Sequence, residues 1–217
     1  MNNIVKDLDK FTFNHPSTSI VCGSSSSGKT TLVLKIIQNR DLLFNKKVKK
    51  VLYCYRVYQN AFNTLKEDPN VIFHEGLLSV SELKDNYENS IIILDDFMDL
   101  LNQEIAALFT IYSHHYNLSV FFLIQNLFVK NRYTRDVALN THYIILFAQR
   151  RDLTQLNTLA RQLFPGKSKD FLSIYKQAVS KKYSYILIDI CPNSVHRITL
   201  RTNILPDQFE EIYLPDE

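Results

Sequence analysis

Gly23 to Thr30 reads GSSSSGKT and matches G-x-x-x-x-G-K-[ST] at every fixed position, in a chain of 217 residues that has only four glycines and places two of them here. Small residues at this spacing let consecutive backbone N–H groups curl around phosphate oxygens at the start of a helix, with a lysine for charge and a hydroxyl for magnesium. Gly23, Ser24, Ser25, Ser26, Ser27, Gly28, Lys29, Thr30 and Thr31 are therefore the expected nucleotide-binding residues. Downstream, Ser90 to Asp96 (SIIILDD) leads an apolar run into the carboxylates of Asp95 and Asp96, and Leu118 to Ile124 (LSVFFLI) leads into Gln125. Hydrolysis of a phosphoanhydride needs neutralised β and γ phosphates, a placed magnesium ion and an oriented water. Lys29 is expected to bridge the phosphates. Thr30 and Asp95 are expected to hold magnesium directly or through water, and Asp96 to orient the attacking water or take its proton. Gln125 is either a sensor hydrogen-bonded to the γ phosphate or that water, or an ordinary polar strand end.

These side chains meet only if the surrounding elements bring strand ends together. Thr18 to Cys22 (TSIVC) has the character of a short buried strand and Lys29 to Arg40 that of a helix, the strand-loop-helix setting a phosphate loop requires. Val51 to Tyr55, Val71 to His74 and Tyr143 to Phe147 are further strand candidates. The SIIILDD and LSVFFLI runs are apolar, as strands covered on both faces should be. Ile105, Leu108, Phe109 and Tyr112 give Asn102 to Tyr116 a helical period. Leu153 to Phe164, with Asp152 as N-cap, and Asp170 to Ser180 are amphipathic helix candidates separated by Pro165-Gly166. Tyr183 to Ile190 and Val195 to Leu200, joined by Cys191 to Ser194, make an expected C-terminal β-hairpin. Strands alternating with helices predict an α/β fold with a mostly parallel sheet, helices on both faces and ligands at the carboxyl ends of the strands. Gly23, Asp95, Asp96 and Gln125 all fall at such ends.

At 46% hydrophobic, the chain is long enough to bury one α/β core, and residues 1–217 are expected to form a single domain. A net charge of +3 is compatible with nucleic acid without requiring it. The run Lys46, Lys47, Lys49 and Lys50 is either a solvated turn or a DNA contact. Cys22, Cys54 and Cys191 are far apart in apolar runs, which fits reduced core residues better than disulfides or a zinc site. His114 and His115 are adjacent and face different ways, so they make a poor metal pair. No apolar run approaches membrane-spanning length and the start MNNIVKDLDK is polar, so an intracellular protein without a membrane partner is expected.

GSSSSGKT, IIILDDFM, SHHYNLSVFFLIQNLF and RDVALNTHYIILFAQRRDLTQLNTLARQLFP together resemble the viral DNA-packaging ATPases of the FtsK/HerA superfamily. The likeness is strongest to the poxvirus-type branch of large DNA viruses, virophages and Polinton-like elements, and it extends over roughly residues 11 to 206. It implies a RecA/ASCE-like P-loop NTPase using ATP and Mg2+. It also implies a homo-oligomeric ring that moves double-stranded DNA into a capsid, with capsid or portal-vertex proteins as partners, in an infected host cell. By position, Gly23 to Thr30 match the family's Walker A, Asp95 and Asp96 its Walker B, and Gln125 its sensor. Asp96 departs from the Glu that cellular members usually carry, which draws the carboxylate back by one methylene. For the arginine finger that such a ring implies, the polar segment Lys130 to Asp136 (KNRYTRD) is expected to be a loop offering Arg135 first and Arg132 second, with Arg150, Arg151 and Arg161 behind them. Lys130, Lys181, Lys182, Arg197 and Arg201 are candidate DNA-backbone contacts or solvated charges. The alternative reading is a monomeric P-loop nucleotide or nucleoside kinase.

Lys29→Ala removes the main side-chain cation from the phosphates, so ATP binding should weaken and hydrolysis vanish. Asp96→Asn keeps the shape and should still bind Mg-ATP while failing to hydrolyse it. Equilibrium nucleotide binding and phosphate release on the two purified variants check both, and near-normal turnover of Lys29→Ala would sink the assigned site.

Overall fold

The computed structural model describes residues 10–128, 131–149, 153–194 and 198–213. Its strands arise where β-branched, aromatic and leucine residues run together, and alternation then sends successive side chains to opposite sides of the sheet. The P-loop strand β1 (Thr18–Cys22) and its helix α1 (Lys29–Gln38) are followed by a short α2 (Arg40–Leu43) and β2 (Lys50–Tyr55). Next come β3 (Val71–Glu75), α3 (Val80–Asn86) and β4 (Ser90–Asp95). A helical stretch made of α4 (Gln103–Ala107), a π turn (Leu108–Tyr112) and α5 (Ser113–His115) leads to β5 (Leu118–Ile124). After α6 (Thr134–Leu139), β6 (Tyr143–Phe147), α7 (Leu153–Leu163) and α8 (Ser168–Ala178), the chain closes with β7 (Tyr185–Asp189), β8 (Thr199–Thr202) and β9 (Glu211–Tyr213).

Among the described residues, nine strands form one sheet in the order β3-β2-β4-β5-β1-β6-β7-β8-β9. The first six positions are parallel and the last three strands add antiparallel. A parallel sheet needs cover on both faces, and residue parity decides which cover each side chain meets. Ile91 and Ile93 of β4, Phe121 and Leu123 of β5 and Val21 of β1 pack with Leu32, Val33 and Ile36 of α1. Ile92, Leu94, Val120, Phe122 and Ile20 enter the opposite layer with Ile105 of α4, Leu159 of α7 and Phe171 of α8. The consequence is that Asp95, two residues beyond Ile93, belongs to the α1 face.

Several elements differ from the sequence expectation. The first helix stops at Gln38 and the SIIILDD strand at Asp95, because Asp96 takes a left-handed φ of 68° that no strand continues. The KNRYTRD segment is not a loop throughout, since α6 starts at Thr134 and carries Arg135. Only Val137 of α6 is buried, so no apolar period announced a helix that is held by packing against α4 and the π turn. α3 is an additional helix with a start signal in its own residues: Ser79 accepts from the Glu82 N–H while the Glu82 carboxylate accepts from the Ser79 N–H, a capping box. The C-terminal hairpin exists as β7 and β8, but β9 extends it, being three residues long and too short to show alternation. Val195, Arg197, Lys130, Arg150, Arg151 and Asp152 lie outside the described residues. Cys22, Cys54 and Cys191 are buried and unpaired.

Ile93 is 1% exposed in the layer that holds α1 against β4. Ile93→Ala is expected to lose about 2–5 kcal/mol of stability in urea unfolding, through lost transfer free energy and an unfilled cavity.

Candidate functional site

The sheet delivers the loop and both polar strand ends to one edge. Gly23 leaves β1 with its N–H donated to Ile124 O (3.2 Å), so the start of the loop is fixed to the end of β5. A Cβ at Gly23 would lie 2.6 Å from Ser27 Oγ and 2.8 Å from Phe147 Cβ, closer than any side chain allows. Within the loop, Ser26 (φ 60°) and Gly28 (φ 105°) both take left-handed backbone. Such alternation turns neighbouring N–H groups inward as an anion-binding concavity, and the N-terminus of α1 adds its partial positive charge. Lys29 Nζ donates to Gly23 O (2.7 Å) and Ser24 O (3.0 Å), which draws the ammonium across the loop. Burial lowers the Lys29 pKa, against the pull of the nearby Asp95 carboxylate.

Asp95 ends β4 only 6% exposed, facing α1 as its parity dictates. Tyr53 OH donates to Asp95 Oδ2 at 2.8 Å and Thr30 Oγ1 donates to the same oxygen at 3.3 Å. Among the described residues no donor engages Oδ1. Burial raises the Asp95 pKa, although these two hydrogen bonds and Lys29 favour the ionised form. A carboxylate and a hydroxyl this close are hard oxygen donors of the kind magnesium takes. Among the described residues no group of three or more His, Cys, Asp or Glu is placed to hold a metal ion by itself. That donor set suits an ion that shares its shell with nucleotide phosphates and water, and Thr30 and Asp95 are the residues able to hold it.

Asp96 is exposed just beyond the strand. Gln125, also exposed, follows β5, which runs between β1 and β4 with Ile124 beside Cys22 and Leu123 beside Asp95. The loop, Asp95, Asp96 and Gln125 thus share one edge of the sheet. Arg135 and Arg132 are exposed, and Arg132 lies over the Tyr133 ring (4.5 Å). Asn131 Nδ2 donates to Leu101 O (2.8 Å), which ties the start of their segment to the chain beyond β4. Arg161 is exposed on α7. Arg201 is no free cation for DNA: it is ion-paired to Glu210, with side chains 11% and 14% exposed. Lys181 and Lys182 line a cavity of about 770 Å3 that starts at Gly28 and Lys29. Sequence reasoning missed Tyr53, one of the largest fully buried side chains, because nothing in VLYCY separates it from an ordinary aromatic strand residue.

No family model matches the chain, and no curated protein matches it. Solved structures do. The DNA-packaging ATPase B204 of Sulfolobus turreted icosahedral virus aligns with 94% of this chain and 100% of its own, at 12% identity and a TM-score of 0.55. The genome packaging NTPase B204 of Sulfolobus turreted icosahedral virus 2, in complex with ATP-gammaS, aligns with 93% of this chain and 98% of its own, at 12% identity and a TM-score of 0.52. Its complex with AMP aligns with 81% and 94%, at 12% identity and 0.51. The fold is that of a P-loop NTPase. Its RecA-like sheet, mostly parallel with a C-terminal antiparallel extension, agrees with the fold expected from the motifs.

The raised Asp95 pKa fixes the sign of a pH effect. The folded carboxyl holds its proton more tightly than the unfolded one, so ionisation destabilises the fold. That penalty is absent below the unfolded pKa of about 3.9 and complete above the folded one. Asp95→Asn, which cannot ionise, should therefore gain melting temperature relative to the native chain as pH rises through this window, and should lose the stabilisation given by Mg-ATP. Tyr53→Phe should keep nucleotide binding and weaken its magnesium dependence. Thermal unfolding across pH, with and without Mg and nucleotide, checks these; an Asp95→Asn difference that shrinks with rising pH would contradict them.

Proposed function

We propose that this chain is a single-domain ATPase that drives double-stranded DNA into a viral capsid, working as a homo-oligomeric ring inside the infected cell. The observation that carries the reading is the strand order: the strand that leads into Gln125 runs between the phosphate-loop strand and the Asp95 strand. The chain leaving this strand emerges at the sheet edge that carries both the phosphate loop and the acidic strand end, which supports a role for Gln125 in orienting the attacking water. The motif set that resembles FtsK/HerA packaging ATPases and the fold shared with viral packaging NTPases bound to AMP or ATP-gammaS support it. Among the described residues no helix is long and apolar enough to cross a membrane.

In this mechanism the backbone amides of Gly23 to Thr31 cradle the phosphates, and Lys29 leaves the Gly23 and Ser24 carbonyls to bridge the β and γ groups. Thr30 and Asp95 would hold Mg2+, which would supply positive charge to the phosphates. Asp96 orients the water and accepts its proton, and Gln125 donates to the γ phosphate or positions that water. Tyr53 keeps Asp95 oriented. Arg135, with Arg132 second, reaches a neighbour's γ phosphate, a contribution worth about 10³ to 10⁵ in rate where such fingers occur. DNA is held through its backbone without sequence preference.

Mixing separates the motor from the monomeric kinase. A Lys29→Ala subunit lacks a working site but keeps its arginine, while an Arg135→Ala subunit has the reverse defect. The two inactive proteins together should recover part of the ATPase activity, and duplex DNA should stimulate it. Turnover by a monomer that needs a small phosphate acceptor and ignores DNA would favour the kinase; no recovery in mixtures shown to co-assemble would remove Arg135 from the mechanism.

A further inference from the structure

The cavity beside the phosphate loop continues beyond anything phosphates need, and the antiparallel extension supplies its far wall. Because β7 begins with Tyr185 opposite Phe147 at the carboxyl end of β6, the turn before β7 stands at the same sheet edge as Gly28. β8 runs back toward that edge, with Arg201 opposite Leu187, so the loop after Thr202 arrives there too. The wall is built firmly. Tyr185 OH accepts from Ile204 N–H (3.2 Å), and Ser184 Oγ donates to Lys181 O (2.6 Å).

We propose that this wall binds the nucleoside half of the nucleotide, with the Tyr183 ring as the surface on which the base stacks. The inference rests on the reading of Gly23 to Thr31 as an ATP site. Tyr183 is 58% exposed and has a φ of 66°, a left-handed conformation that bulky residues rarely adopt. A side chain so exposed gains little from burial to offset such strain, and strain of this kind gathers at ligand sites. The ring lies against the phosphate loop itself, since a Cβ at Gly28 would meet Tyr183 Cδ1 at 3.3 Å. Lys182 Nζ sits 4.7 Å from the ring centroid, and Lys35 and Lys181 also line the cavity, so its charge suits a polyphosphate ester. At about 770 Å3 the cavity lies within the range of small-molecule sites, and its Asn203 and Gln208 amides each offer a donor and an acceptor to a base edge or ribose. Aromatic stacking holds a base through its π face, which is the contact an exposed tyrosine can give.

The test compares a non-hydrolysable Mg-ATP analogue with Mg-tripolyphosphate, which has the phosphates and no base. Tyr183→Ala should weaken the analogue roughly ten- to hundredfold and leave tripolyphosphate unchanged, with Tyr183→Phe restoring the analogue. Lys29→Ala should weaken both ligands. The chain has no tryptophan, so Tyr183→Trp introduces a single one, whose emission should be quenched by the analogue and not by tripolyphosphate. Equal weakening of both ligands by Tyr183→Ala would make Tyr183 a prop of the phosphate loop and overturn the proposal, as would no weakening of the analogue. If Lys29→Ala leaves both ligands bound, the ATP-site reading itself fails and the proposal falls with it.

Discussion

A carboxylate buried at the end of a central strand is costly unless something nearby favours its charge, and Asp95 is such a group. Two hydroxyls donate to one of its oxygens and the Lys29 ammonium lies close enough to lower its proton affinity, yet burial still dominates. Lys29 has the matching problem with the opposite sign, as burial disfavours its charge too. Both ions are thus held in a poorly solvated corner where a metal-bound polyphosphate would satisfy each of them.

That corner exists because the sheet around it is covered on both faces. Strict alternation along β4 sends Ile91, Ile93 and then Asp95 toward α1, and the same parity on β2 sends Tyr53 to meet it. A one-residue slip of either strand would turn one partner to the other face and break the pair. The hydrophobic packing of the strands therefore sets the position of the carboxylate more than any bond the carboxylate makes. Insertion of β5 between β1 and β4 adds Gln125 to the same edge.

The antiparallel strands extend this logic beyond the phosphate loop. In a purely parallel sheet only strand ends reach the carboxyl edge; reversal at β7 sends a strand start there as well. The turn carrying Lys181 to Ser184 and the loop after β8 then stand beside Gly28, while Arg201, a neighbour in sequence, is drawn into an ion pair with Glu210 on the sheet. Charges of one kind in one stretch of chain consequently have different environments.

Much of the fold and part of the candidate site were legible in the sequence. GSSSSGKT is legible because glycines and small residues at fixed spacing permit the left-handed backbone and close approach that such a loop needs, and apolar runs such as SIIIL and LSVFFLI read as covered strands from composition alone. Short elements were not legible: α6 buries one residue and β9 spans three, too little for any period to emerge. Nor were partnerships between distant residues. Tyr53 meets Asp95 across 42 positions because register and parity, products of the whole packed sheet, bring them to one face. Residue spacing along the chain determines the phosphate loop; which tyrosine supports the acidic strand end, and which lysines line the cavity, was decided only by tertiary structure, since those contacts exist only once non-adjacent strands are packed edge to edge.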